Sequence, residues 1–515
     1  MVKNNTLIKQ TDFLIGLLYI SKKDYKKALF HLKRCEDTID IKLKQKINIQ
    51  FGICYKELGD YKNAISYFSI AREISANENT QVLAISNIAD TYFVKKSDYT
   101  DLESAEKIYT DLINLHPNHD LNIEWRKKKA NTLRQMNKDE EAILTLSKIN
   151  DEDQTEWEWA QLEIGAILMS ASPPRFSVAA IHYKTILDKI TNPVKKEETT
   201  LNYGICLLKN NQGVDALGVF QRLILGTTNE DIIADAYQYL AICFEKENDI
   251  KSALEKFEVS LSKYPNQKNK NFLHKECVRL YQLDQNIESA IKHLNVVYLE
   301  VTDPNSQAEA LFQLAGYDLK SGVAATSEAA LEKLKNILKN YSKSPTAPKA
   351  AYLLGQININ NKKFEAALPF FEKIIAEYKD PDLIALSQVE LGNYYYSANE
   401  FSKAINYYKN ITLSESAEQP KKYDALKESI LIKKADCQFQ LKLYPTAKEE
   451  YMNLIRLNQN NSFFKIRYSK SCLESKVRLE DAISLLEKIP NQEQSKETEI
   501  LLDQLKELQQ KIKRK

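Results

Sequence analysis

Glycine and proline are scarce in this chain, at 12 and 13 of 515 residues. That scarcity excludes collagen-like, low-complexity and turn-rich β architectures, and with 43% hydrophobic residues it describes a mostly helical protein with short connections. An excess of one charge is missing too. Lys and Arg number 72 against 70 Asp and Glu, a formal net charge of +2, which argues against nucleic-acid binding driven by bulk charge. No apolar run approaches the ~18 residues a bilayer span needs, so membrane insertion is not expected. Motifs of catalysis are absent as well: there is no Gly-rich phosphate loop, nucleophile elbow or H-E-x-x-H, and neither enzyme activity nor a cofactor is expected. Six histidines are scattered, and the two that share a connector, His116 and His119, read as loop polarity rather than a metal site.

The seven cysteines contain no C-x-x-C pair. Cys54, Cys206, Cys243 and Cys437 each lie two residues beyond a small residue, at places that belong to helix packing, and seven free buried thiols are expected. Such usage leans toward a reducing, cytoplasmic compartment, with the periplasm as the alternative if a leader has been removed. The run Phe13 to Ile20 after Lys3 and Lys9 imitates a secretory signal, but it carries Gly16 followed twelve residues later by Ala28. That spacing belongs to a pattern that fills the chain.

The pattern is clearest between Ala347 and Leu413. Gly355 is followed after twelve residues by Ala367, then Phe371 and Ile374, and Gly392 likewise by Ala404, Tyr408 and Ile411. Two small residues at that separation let a pair of antiparallel helices approach closely, with Phe364 or Phe401 closing the turn between them. Taking the second small residue as a ruler gives Ala28, Ala64, Ala105, Ala142, Ala179, Ala216, Ala253, Ala290, Ala330, Ala367, Ala404, Ala447 and Ala482. The spacing is 37 for the five consecutive intervals from Ala105 to Ala290, which chance does not hold. Longer intervals place insertions in the turns at 96–102 and 322–327, and a hinge is expected at the polar link from Thr412 to Lys422. Beyond Pro490, Leu501, Leu505, Leu508 and Ile512 form one apolar stripe, so residues 491–515 are expected to cap a solenoid of residues 9–490.

These residues resemble the tetratricopeptide repeat in about thirteen copies. The fullest carries Gly52, Tyr55, Gly59, Tyr61, Ala64, Phe68 and Ala71, and weaker ones have Val278, Ala315 and Lys470 in the small-residue place. The 37-residue unit and Tyr264-Pro265 near a repeat end are loosely similar to bacterial envelope-assembly proteins built on this repeat. The resemblance implies an all-α, right-handed superhelical solenoid whose concave groove is lined by the first helix of each pair. It also implies a non-catalytic scaffold binding an extended segment or helix of another protein. Alternatives are a peptide-sensing regulatory receptor and an envelope assembly factor. Lys127 and Asn131 have the spacing of half a carboxylate clamp, yet Glu163 stands where the next repeat would need Asn.

With the register fixed, the groove positions are apolar in two runs. One is Trp159, Leu162, Met169, Leu201, Ile205 and Leu208; the other is Phe312, Leu319, Tyr352, Val389 and Tyr396. Aromatic and Met side chains in a concavity anchor a partner's apolar residues, so these eleven are the candidate contacts, with tighter internal packing as the competing reading. Lys275 and Arg279 form a short basic rung between them that reads as a salt-bridged surface. Oligomeric state is not legible.

Overall fold

The structure is a computed structural model that describes residues 2–513 apart from 75, 95–97, 410, 413–422 and 491, with backbone alone at 2–6 and 324–326. Among the described residues there are 27 helices and no strand. Contacts divide the chain into two compact units, Met1–Leu273 and His274–Lys515.

In the first unit the hairpins are α1 (Val2–Ser21) with α2 (Tyr25–Cys35), α3 (Ile41–Glu57) with α4 (Tyr61–Glu73), and α5 (Glu78–Tyr92) with α6 (Leu102–Leu115). They continue as α7 (Asn122–Gln135) with α8 (Asp139–Leu146), α9 (Gln154–Ser170) with α10 (Phe176–Ile186), α11 (Pro193–Lys209) with α12 (Gly213–Gly226), and α13 (Glu230–Lys246) with α14 (Ile250–Lys263). Helix α15 (Lys270–Leu283) carries the division in its first turn, and its His274 meets His293 of α16 (Ile287–Glu300) at 2.7 Å between ring nitrogens. The second unit goes on with α17 (Pro304–Lys320) and α18 (Ala324–Asn340), α19 (Ala347–Asn360) and α20 (Phe364–Glu377), and α21 (Pro381–Ser397) and α22 (Phe401–Tyr408). It closes with α23 (Asp424–Gln440) and α24 (Tyr444–Leu457), α25 (Ser462–Ser475) and α26 (Leu479–Glu487), and finally α27 (Lys496–Lys513).

Size complementarity holds each hairpin together. In four hairpins a ring four residues past the ruler alanine lies on the glycine twelve residues before that alanine, while in the first hairpin Leu32 faces Gly16. A Cβ added to Gly52, Gly204, Gly355 or Gly392 would stand 2.5 or 2.6 Å from Phe68, Phe220, Phe371 or Tyr408. Where Val278 occupies the small place, the facing residue is Leu294 rather than a ring, and both are buried.

The turns are equally regular. Five residues before the ruler alanine the backbone is left-handed at Lys23, Gly59, Asn137, Asn211, Asn248, Gln285, Lys362, Asn399 and Lys442. Only one of these is glycine, although L side chains there cost ~1–2 kcal/mol. Acidic or amide side chains start many helices, as Asp24, Asp60 and Asp249 do for second helices and Asp40, Asp303 and Asp380 for first helices. Pro193, Pro304 and Pro381 open their helices, where the missing N–H is harmless.

Two expectations need correction. The extra residues at 322–327 do not lengthen a turn; they extend α18 to 17 residues against 14 in α20, because Ala324 and Ala325 continue a helix readily. Nor does Lys470 take the small-residue place in α25. Ser469 does, buried and donating to Ala482 O at 3.2 Å, while Lys470 points out to Glu497. Two left-handed residues, Lys476 and Arg478, accommodate the thirteen-residue spacing that results. The expected hinge at Thr412 to Lys422 lies, past Thr412, outside the described residues.

Successive first helices touch one another within each unit: α1 with α3, α3 with α5, α9 with α11, α11 with α13, then α19 with α21 and α21 with α23. Among the described residues no two second helices do so to a comparable extent, which makes the first-helix layer of each unit the inner, more closely packed one. At the end of the second unit α27 packs on α25 and α26, burying Leu501 and Leu505, with Leu508 partly covered and Ile512 exposed. All seven cysteines are buried thiols outside any disulfide, and burial pushes those of Cys54, Cys206 and Cys437 up to about 12.

Candidate partner-binding faces

On the inner layer of the first unit, Trp159, Leu162 and Met169 are half-buried and rest on the core around Ile164, Ile167 and Leu168. The Lys127 ammonium lies 4.7 Å from the Trp159 ring centroid and pairs with Glu156, so one cation joins α7 to α9 through both a ring and a carboxylate. Similar ties run along this layer. Lys128 donates to both Asp90 oxygens at 2.9 Å, Tyr109 OH donates to Asp90 at 2.6 Å, and Arg134 meets Glu163 at 3.6 Å. A cleft of about 380 Å³ opens among Lys127, Asn131, Arg134, Trp159 and Glu163. Because Lys127 is already paired, this cleft does not present the free cation a carboxylate clamp requires.

Leu201, Ile205 and Leu208 are not groove contacts. They are 7%, 9% and 1% exposed, because α11 packs against both α9 and α13 and its inward side chains fill the space between them.

In the second unit Phe312 and Leu319 on α17, Tyr352 on α19 and Tyr396 on α21 are half-buried. Val389, 4% exposed, belongs to the core with Ala385 and Ala404, a second correction to the apolar runs. Arg279 is paired with Glu276 at 2.6 Å and Lys275 donates to Ser306 at 2.8 Å, so the basic rung is tied as expected.

Polar residues on the inner layer form a ladder that a search for apolar anchors passes over. Lys433 Nζ donates to Asn393 Oδ1 at 2.6 Å, which also accepts from Tyr408 OH at 2.8 Å. Asp436 accepts from Tyr396 OH at 3.2 Å and from Tyr451 OH at 2.6 Å. Burial, then the Asp436 charge, pushes the Tyr396 phenol up to about 12. Arg467 sits with its guanidinium 4.8 Å from the Phe439 ring and 5.2 Å from Phe463. The signal available in the sequence was the polar residue just past the small one in three successive repeats, Gln356, Asn393 and Asp436.

Glu158 is buried for a different reason. Its carboxylate accepts from Thr191 N at 2.7 Å, Thr191 Oγ1 at 2.9 Å, Asn192 N at 3.2 Å and Gln154 Nε2 at 3.1 Å, fastening the link between α10 and α11 onto α9. Burial raises its pKa, and these hydrogen bonds outweigh burial and draw it down to about 2. His119 is likewise structural: its ring nitrogen accepts from Leu121 N at 3.1 Å and the ring lies against Trp125.

No helix among the described residues is long and apolar enough to cross a membrane. Three family models match, each described as tetratricopeptide repeat, over residues 46–75, 235–266 and 327–381. They carry the repeat family and no narrower branch of it. No curated protein matches the sequence. A solved structure described as "Structure of Naa15/Naa10 bound to HypK-THB" aligns with 98% of this chain and 87% of that chain, at 13% identity and a TM-score of 0.33. Three stretches of this chain are thus tetratricopeptide repeats, and the helix pairing repeated between them continues an all-α repeat architecture.

Proposed function

We propose that the protein is a non-catalytic scaffold whose first-helix layer holds an extended segment or a helix of a partner protein. Repeats of this kind serve as interaction scaffolds, and the observation that carries the reading is the set of large side chains left half-exposed on that layer. In the first unit these are Trp159, Leu162 and Met169; in the second, Phe312, Leu319, Tyr352 and Tyr396. Each is supported from below by a packed core and, for Trp159 and Tyr396, from the side by a cation or a hydrogen bond, so little side-chain freedom is lost on contact.

Trp159→Glu and Tyr396→Asp test this in the full chain. Partners recovered with the native protein are expected to be lost from variants whose melting temperature is unchanged; undiminished recovery counts against the reading.

A further inference from the structure

A separate cleft of about 330 Å³ lies in the second unit, at the seam where the α19–α20 turn meets α21. Its wall is Ile359, Phe364, Leu368 and Phe371, and its far side is Glu390, Asn393 and Ser397. Phe364, expected to close the turn, is 46% exposed and forms the lip.

A side chain that crosses the equivalent seam in another repeat is absent here. Seven residues before the ruler alanine, Lys246 of α13 reaches across the equivalent seam and donates to Leu208 O at 2.9 Å and Asn211 Oδ1 at 3.3 Å. Ser397 occupies that place in α21. Apart from the first repeat, where Ser21 stands, every other repeat with the twelve-residue spacing has a longer side chain there: Glu57, Gln135, Lys209, Leu283, Asn360 or Gln440.

Glu390 gives the cleft a carboxyl. Among the described residues its carboxyl forms no ion pair within 4 Å, and burial pushes it up despite the pull of Lys433. Lys433 has its ammonium on Asn393 Oδ1 at 2.6 Å. An apolar wall ending in a carboxyl whose nearby cation, Lys433, is held on Asn393 rather than in ion-pair contact matches a side chain with an apolar stem and a positive head.

We propose that this cleft binds an arginine or lysine side chain of a partner protein's extended segment, the stem lying on Phe364, Leu368 and Phe371 and the head reaching Glu390. None of the inner-face residues named under the scaffold reading lines it, so either reading can fail without the other.

The test uses the full-length protein and fluorescein-labelled glycine–serine peptides carrying one central arginine, citrulline or norleucine, with affinity read by fluorescence polarisation. The arginine peptide is expected to bind about tenfold more tightly than the citrulline peptide, the size of one charge-assisted contact. Glu390→Gln should abolish that difference. Ser397→Lys, which supplies the crossing side chain on an exposed helix end, should reduce binding of all three peptides, while Ser397→Ala should leave it intact. Equal binding of arginine and citrulline peptides, undiminished binding to Ser397→Lys, or no binding of the arginine peptide at millimolar concentration would overturn the proposal. A melting curve for each variant separates loss of the site from loss of the fold.

Discussion

At the scale of single residues, the hairpins depend on matched sizes across each helix pair. A side chain at Gly355 must displace the Phe371 ring, since even a Cβ would lie 2.5 Å from it. Gly355→Val is therefore expected to lower stability by about 1–3 kcal/mol, as overpacking does, in chemical denaturation. Adding Phe371→Leu should restore part of the loss, because the native pair Val278 and Leu294 shows that combination to be compatible with the hairpin. A double variant no better than the single one would refute this account of the packing.

Glu158 makes a pH-dependent prediction. Its folded pKa, drawn down to about 2, lies below the ~4.3 of a free glutamate. A depressed carboxyl contributes stability that is present above the unfolded value and is lost as pH falls toward the folded one. Glu158→Leu, which strands the Thr191 and Asn192 donors, should destabilise by about 1–3 kcal/mol at neutral pH. The gap from native protein should narrow between about pH 4 and pH 2. A gap of constant size across that range would remove the carboxylate from the explanation. Nothing in the sequence marked this residue, since a glutamate inside an amphipathic helix reads as surface until the following link is seen folding back onto it.

At the scale of elements, the turns were legible in position but not in conformation. The ruler alanines located each turn, while the left-handed residue five places earlier escaped notice because Gly59 is the only glycine among nine. Asn and Lys at such sites give a weak signal. It follows that Lys362→Gly and Lys442→Gly should each raise stability by about 0.5–1 kcal/mol, the relief of a left-handed side chain less the added freedom of the unfolded glycine. A fall in denaturation midpoint for both would contradict the strain argument. Of the C-terminal stripe, Leu501 and Leu505 are buried while Ile512 is exposed; Leu505, fully buried by α25 and α26, should destabilise by about 2–5 kcal/mol when replaced by alanine. Hydrogen exchange should then quicken in α25 and α26; unaltered protection there would mean α27 does not support them.

At the scale of the whole molecule, the repeat family and the all-helical architecture could be read because a spacing of 37 recurs and each spacing has a geometric meaning. The inner face could be read only in part. Register identifies which side chains point inward, but not how closely neighbouring first helices approach, and that closeness decides burial. Around α11 the helices close over Leu201, Ile205 and Leu208, whereas at α9 and α21 Trp159 and Tyr396 remain open. The cleft beside Ser397 was illegible for a related reason: it is bordered by one short side chain, which stands out only beside the Lys246 contact in another repeat.

The central claim is that a partner lies on the first-helix layer. Crosslinking in native cells, with the sites located by mass spectrometry, tests it most directly. Partner crosslinks are expected to concentrate on lysines of first helices, such as Lys127 and Lys128 on α7 and Lys433 and Lys434 on α23. They should be lost from the Trp159→Glu, Tyr396→Asp double variant. Crosslinks concentrated on second-helix lysines such as Lys184, Lys256 and Lys373, or unchanged in that variant, would contradict it.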